Sequence, residues 1–144
     1  MADHRFIGTW RLVSSEFRRS DDTIVYPYGD DAIGLLIYAA TGHMAVQLLR
    51  AHRPLFAAGD PYRGTPEEIK AAFEGYIAYF GSYEVNEAEG VVTHHVHGAS
   101  FPNWIGGDQQ RFFAFAGNQL ILSTPPILAG SSTMTGVLIW ERVG

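Results

Sequence analysis

The chain has 144 residues, 47% hydrophobic and 17% charged, with a formal net charge of −5 and no cysteine. A chain of this size is one domain that buries roughly two thirds of its unfolded surface without staples. The missing cysteines exclude disulfides, thiol nucleophiles and cysteine metal sites and fit a reducing, cytoplasmic setting, while the acidic balance argues against nucleic acid as a partner.

The longest apolar run, Ala32 to Ala40, contains Gly34 and is too short to span a bilayer, so no membrane partner is expected. Phe6 to Phe17 alternates, with Trp10, Leu12, Ser14 and Glu16 on one face, and reads as a first strand with no secretory leader expected before it. Thr23 to Tyr26 is a short strand stopped by Pro27 and Gly29. Leu35 to Tyr38 and His43 to Leu49 form a hairpin around Thr41-Gly42. Residues 51 to 66 carry three prolines and two glycines and read as a loop, long enough to suspect a lid. Thr65-Pro66-Glu67-Glu68 is a helix start. An apolar stripe of Ile69, Ala72, Phe73 and Tyr76 carries the predicted helix over 66–80, with Gly81 closing it. Strands follow at Ser82 to Val85, Val91 to Ala99, Gln109 to Phe115, Gln119 to Thr124 and Thr133 to Val143. Some nine strands with turn signals every ~8–12 residues indicate an all-β sandwich or barrel.

These residues also resemble a known family. Gly8-Thr9-Trp10 is similar to the Gly-x-Trp signature of lipocalins, and Trp140-Glu141-Arg142 supplies the late arginine that lipocalins stack on that tryptophan. Tyr26-Pro-Tyr-Gly29, Gly34 to Tyr38, Tyr79 to Tyr83, Thr93 to Val96, Pro102-Asn-Trp104, Gln110-Arg111 and Leu120 to Pro126 extend the likeness from about residue 6 to 143. The ordered set resembles the bacterial and fungal lipocalin-like domain family. The resemblance implies a calycin-type barrel with a central cavity, and relatives that act in natural-product pathways as cofactor-free cyclases or isomerases. Physics agrees at the ends of the chain. Trp10 and Arg142 sit on first and last strands that must be neighbours in a closed barrel, where a guanidinium over an indole seals the base.

Within Val91 to Ala99, His95 and His97 share one strand face, read as solvent-facing. A His-x-His pair lacks the third ligand a zinc site needs, so no metal is expected. His94 lies between Val92 and Val96 on the face taken as inward, as a satisfied core residue or a cavity-lining acid/base. Arg111, among Phe113 and Phe115, either faces in to polarise a ligand carbonyl, with Glu16 as its partner, or snorkels outward. Asn103 and Trp104 occupy a loop at one barrel mouth, where the indole stacks on a ligand or caps the core. Tyr38, Tyr79 and Tyr83 are phenols for a ligand oxygen or wall residues bonded to backbone.

The whole of 1–144 therefore reads as one antiparallel lipocalin-like barrel of eight or nine strands with one inserted helix. Three functions remain. The leading one is a cofactor-free cyclase or isomerase for a hydrophobic, polyketide- or terpenoid-like substrate. His94, Arg111 and Glu16 would be catalytic, and Tyr38, Tyr83, Asn103, Trp104, Leu122 and Phe113 would contact ligand. Leu12, Leu35, Ile37 and Leu138 would complete the wall. A non-catalytic carrier or sensor is the alternative, and a filled structural barrel the third. No cofactor is expected, and a homodimer is left open.

Overall fold

Strand alternation sets the architecture. In the computed structural model, which describes residues 4–144, the strands are β1 (Gly8–Arg19), β2 (Ile24–Val25), β3 (Ile33–Tyr38), β4 (His43–Leu49), β5 (Tyr76–Asn86), β6 (Val91–Ala99), β7 (Asp108–Ala116), β8 (Gln119–Ser123), β9 (Ile127–Ala129) and β10 (Ser132–Arg142). Eight of them close into an antiparallel barrel in the order β1-β3-β4-β5-β6-β7-β8-β10, with β10 returning to β1. β2 and β9 are short additions along β1 and β10.

Closure rests on the β1–β10 pair, which sets Trp10 opposite Arg142. The Arg142 guanidinium lies 4.2 Å from the centre of the Trp10 ring. It donates to the Ile7 carbonyl at 2.8 Å and the Arg5 carbonyl at 2.5 Å, while the Trp10 indole donates to the Phe6 carbonyl at 2.9 Å. Gly8 is required here: its φ is +141°, and a Cβ would stand 2.6 Å from the Arg142 guanidinium and 2.5 Å from the Gly144 carbonyl oxygen. Phe6, fully buried, fills the space below, edge-on to Tyr38, Phe113 and Phe115 at 5.2, 5.0 and 5.1 Å. This end of the barrel is solid.

Two irregularities re-aim side chains. The β1–β10 register slips between Leu12 and Ser14. An extra residue in one strand reverses which face its neighbours occupy. Trp10 and Leu12 point inward, but beyond the bulge Ser15 and Phe17 do so. Glu16, expected on the Trp10 face, lies instead on the outer face beside exposed Val137. The second slip, between Phe80 and Gly81, brings β5 so close to β6 that a Cβ on Gly81 would sit 1.7 Å from the His95 carbonyl oxygen.

Three further expectations are corrected. In β3 it is Leu36 and Tyr38 that are buried, whereas Leu35 and Ile37 face solvent. The helix, α1 (Pro66–Glu74), starts as read: the Thr65 side chain accepts from the Glu68 N–H and the Glu68 carboxylate accepts from the Thr65 N–H. It ends at Gly75, and residues 76–80, expected as helix, begin β5. Aromatic and β-branched side chains at Tyr76, Ile77, Tyr79 and Phe80 suit a pleated surface, and pairing with β4 outweighs the stripe. α1 lies outside the barrel with Ile69 and Phe73 half exposed. β9, following Pro125-Pro126, was not anticipated.

Replacing Arg142 with alanine removes the ring contact and both carbonyl partners at once. Urea unfolding should show a loss of about 2–4 kcal/mol, and a loss under about 0.5 kcal/mol, the level of ordinary surface changes, would contradict this account of closure.

Candidate functional site

Above the solid end the barrel is hollow. A cavity of about 310 Å³ is walled by Leu36, Val46, Leu48, Leu122, Leu138 and Trp140. The volume is at the lower end of the range for small-molecule pockets. Its rim comes from the segment after β2 (Pro27, Tyr28), from β9 (Ile127, Leu128) and from the short 3₁₀ turn Pro102–Trp104 with the preceding Phe101. Leu128 and Phe101 are both lining and exposed, which marks the opening. Loop 51–66, suspected as a lid, contributes no lining residue.

Polar groups concentrate around His94. β6 alternation carries His94 inward between Val92 and Val96, all three buried. Tyr38 Oη, from β3, lies 2.6 Å from His94 Nε2, and Tyr79 Oη, from β5, lies 2.7 Å from Nδ1. His94 and Tyr79 line the cavity; Tyr38 stands behind them, next to Phe6 and Tyr83. Burial, then the nearby Arg111 charge and His95, push the His94 pKa down to about 3. Burial likewise raises both tyrosines, Tyr38 well above the ordinary phenol value. Arg111 does face in and lines the cavity, donating to the Gln110 carbonyl at 2.8 Å and to Gln109 Oε1 at 3.2 Å. The Trp140 indole N–H is buried with no partner among the described residues.

The fold brings His94, Arg111, Trp104 and Leu122 to one chamber. It keeps others away. Phe113 points inward but into the solid end, against Phe6, and Leu12 is buried without lining the chamber. Tyr83 is buried without lining it too, its hydroxyl donating to the Ala39 carbonyl at 3.1 Å. Asn103 is exposed and off the cavity, because in the turn only Trp104 projects inward, edge-on to Tyr79 at 5.8 Å. Glu16 is outside, so Arg111 has no carboxylate partner from β1, nor any other among the described residues. His95 lies outside as read, 2.8 Å from Asp108 and 3.5 Å from Glu84. The Asp108 hydrogen bond is the main cause of its raised pKa. Sequence reasoning named Tyr79 without selecting it. Its alternation with Ile77 was the usable signal, hidden by assigning both to the helix.

The family model described as a lipocalin-like domain matches residues 7–143. The chain belongs to the lipocalin-like domain family. A curated relative of this lipocalin-like barrel is the 4'-hydroxy-3'-methoxypropiophenone carrier protein ppsC of Aspergillus oryzae (strain ATCC 42149 / RIB 40), 31% identical over 107 residues, which cover 69% of this chain and 96% of the relative. Family, relative and cavity together support a small-ligand-binding protein.

The lowered His94 pKa makes stability depend on pH with a definite sign. The folded protein binds this proton more weakly than the unfolded chain. The contribution is therefore complete above the unfolded value of 6.5 and is lost as pH falls toward about 3. Between about pH 7 and pH 4.5 wild type should lose about 2–3 kcal/mol more than His94→Gln, measured by urea unfolding. Equal losses in the two proteins would show that the imidazole is not held neutral.

Proposed function

We propose that this barrel carries a small, mostly apolar aromatic molecule bearing an oxygen function. The observation that carries the reading is the chamber: apolar walls with the polar groups drawn together around His94. Such a pocket gains its affinity from burying an apolar body and its orientation from a few polar contacts. The relative named as a propiophenone carrier supports the same ligand class.

The same features weigh against a cyclase or isomerase that works by proton transfer. A general base is most effective when its pKa lies near the working pH, and His94, at about 3, is far below neutrality. Burial moves the pKa values of Tyr38 and Tyr79 further above the neutral range. With Glu16 on the outer face, the expected carboxylate is missing from the wall. What remains open to catalysis is folding a substrate by shape alone.

The test uses 4'-hydroxy-3'-methoxypropiophenone as probe. Trp104 and Trp140 both line the chamber, so binding should appear as saturable quenching of tryptophan fluorescence, with the probe recovered chemically unchanged. Leu122→Trp, which fills the chamber, should weaken binding by about ten-fold or more while circular dichroism still reports the barrel. Binding that ignores this substitution would remove the chamber as the site. Conversion of the probe would replace the carrier reading with a catalytic one.

A further inference from the structure

His94 has two hydroxyl partners and one proton to share between them. A neutral imidazole carries one N–H and one bare nitrogen. Both ring nitrogens are in contact with a phenol, Nε2 with Tyr38 and Nδ1 with Tyr79. One phenol must therefore donate its O–H to the ring, and the other must accept from the ring and keep its own O–H for something else. The two candidates are not equivalent. Tyr38 is 1% exposed, sits off the cavity, and packs against Phe6 and Tyr83 with their ring centres 5.2 and 4.7 Å away. A spare O–H there would be buried without an acceptor among the described residues, a state that folded proteins avoid. Tyr79 lines the cavity, where a spare O–H meets whatever occupies it.

We infer that Tyr79 is the hydroxyl that recognises the ligand's oxygen: Tyr38 donates to Nε2, His94 donates from Nδ1 to the Tyr79 oxygen, and the Tyr79 O–H is left for an acceptor-only oxygen such as the carbonyl of an aryl ketone. Tyr38 and His94 are positioning residues in this chain of donors. Burial, and after it the charge of Arg111, keep the imidazole neutral. Selectivity follows from the direction of the chain. A ligand that offers only a donor at this point would either leave the Tyr79 O–H unpaired or reverse the chain, which would strand the Tyr38 O–H in the core.

The inference rests on the chamber being the ligand site and goes further by naming the contact. Titration calorimetry with propiophenone and with propylbenzene, which lacks the oxygen, separates the two. Tyr79→Phe should weaken the ketone by roughly ten-fold, the worth of one buried hydrogen bond, and leave the hydrocarbon unchanged. If both probes bind wild type and Tyr79→Phe alike, the contact is refuted while the chamber stands. If the ketone preference survives Tyr79→Phe and is lost in Arg111→Met, the oxygen belongs to Arg111 and the inference fails. If neither probe binds wild type, the chamber reading falls and the contact with it. Nitrogen-15 spectra of the ligand-free wild type give a reading that needs no variant. His94 should show a protonated Nδ1 and a bare Nε2, and Tyr38→Phe should lose that bias. A wild-type proton on Nε2 would overturn the proposal.

Discussion

Everything in this molecule depends on one strand pair. β1 and β10 are the first and last barrel strands in the chain, and until they meet, the sheet has two open edges and no inside. The Trp10–Arg142 stack occupies that seam. With Arg142 also gathering the carbonyls of residues 5 and 7, the segment carrying Phe6 is drawn under the barrel as a plug. Closing one end so firmly leaves the rest of the interior free to stay hollow. The cavity is therefore a consequence of where the aromatic mass was placed, at Phe6, Trp10, Phe113 and Phe115, and its exposed lining residues, Phe101 and Leu128, mark an opening away from that mass.

Much of this was legible from alternation and chain-end chemistry. The strands from His43 to Leu49 and Val91 to Ala99 have the bounds their patterns suggested. Gly8, Trp10 and Arg142 form the closure their positions implied, and His94 faces in for the simple reason that Val92 and Val96 do. The failures are just as specific. Period-two reasoning assumes an unbroken pleat, and the extra residue near Val13 breaks it. Every face assigned beyond that point in β1 is reversed, Glu16 among them. Nothing in Leu12 to Ser15 announces a bulge, since neither glycine nor proline stands there. Tyr76 to Phe80 fits a helical stripe and a strand about equally well, and a partner strand distant in sequence, β4, decides between them.

The site itself was half visible. A histidine among valines is a strong local signal that something must satisfy a buried ring, but the identity of its partners is a question of topology. Tyr38 and Tyr79 lie 56 and 15 residues away from it, and only the order of strands around the barrel brings both to one imidazole. Phe113 and Tyr83 show the converse limit. An inward side chain can belong to the chamber or to the plug, and its height along the barrel axis is not written in the alternation.

The neutral, buried imidazole also shapes how a small-ligand-binding barrel of this kind responds to its surroundings. Between roughly pH 5 and 8, where histidine ordinarily changes charge, His94 neither gains nor gives up a proton. Ligand entry and exit at its side of the chamber are thus uncoupled from the proton concentration of the surroundings. Mild acidification offers no release trigger at this wall.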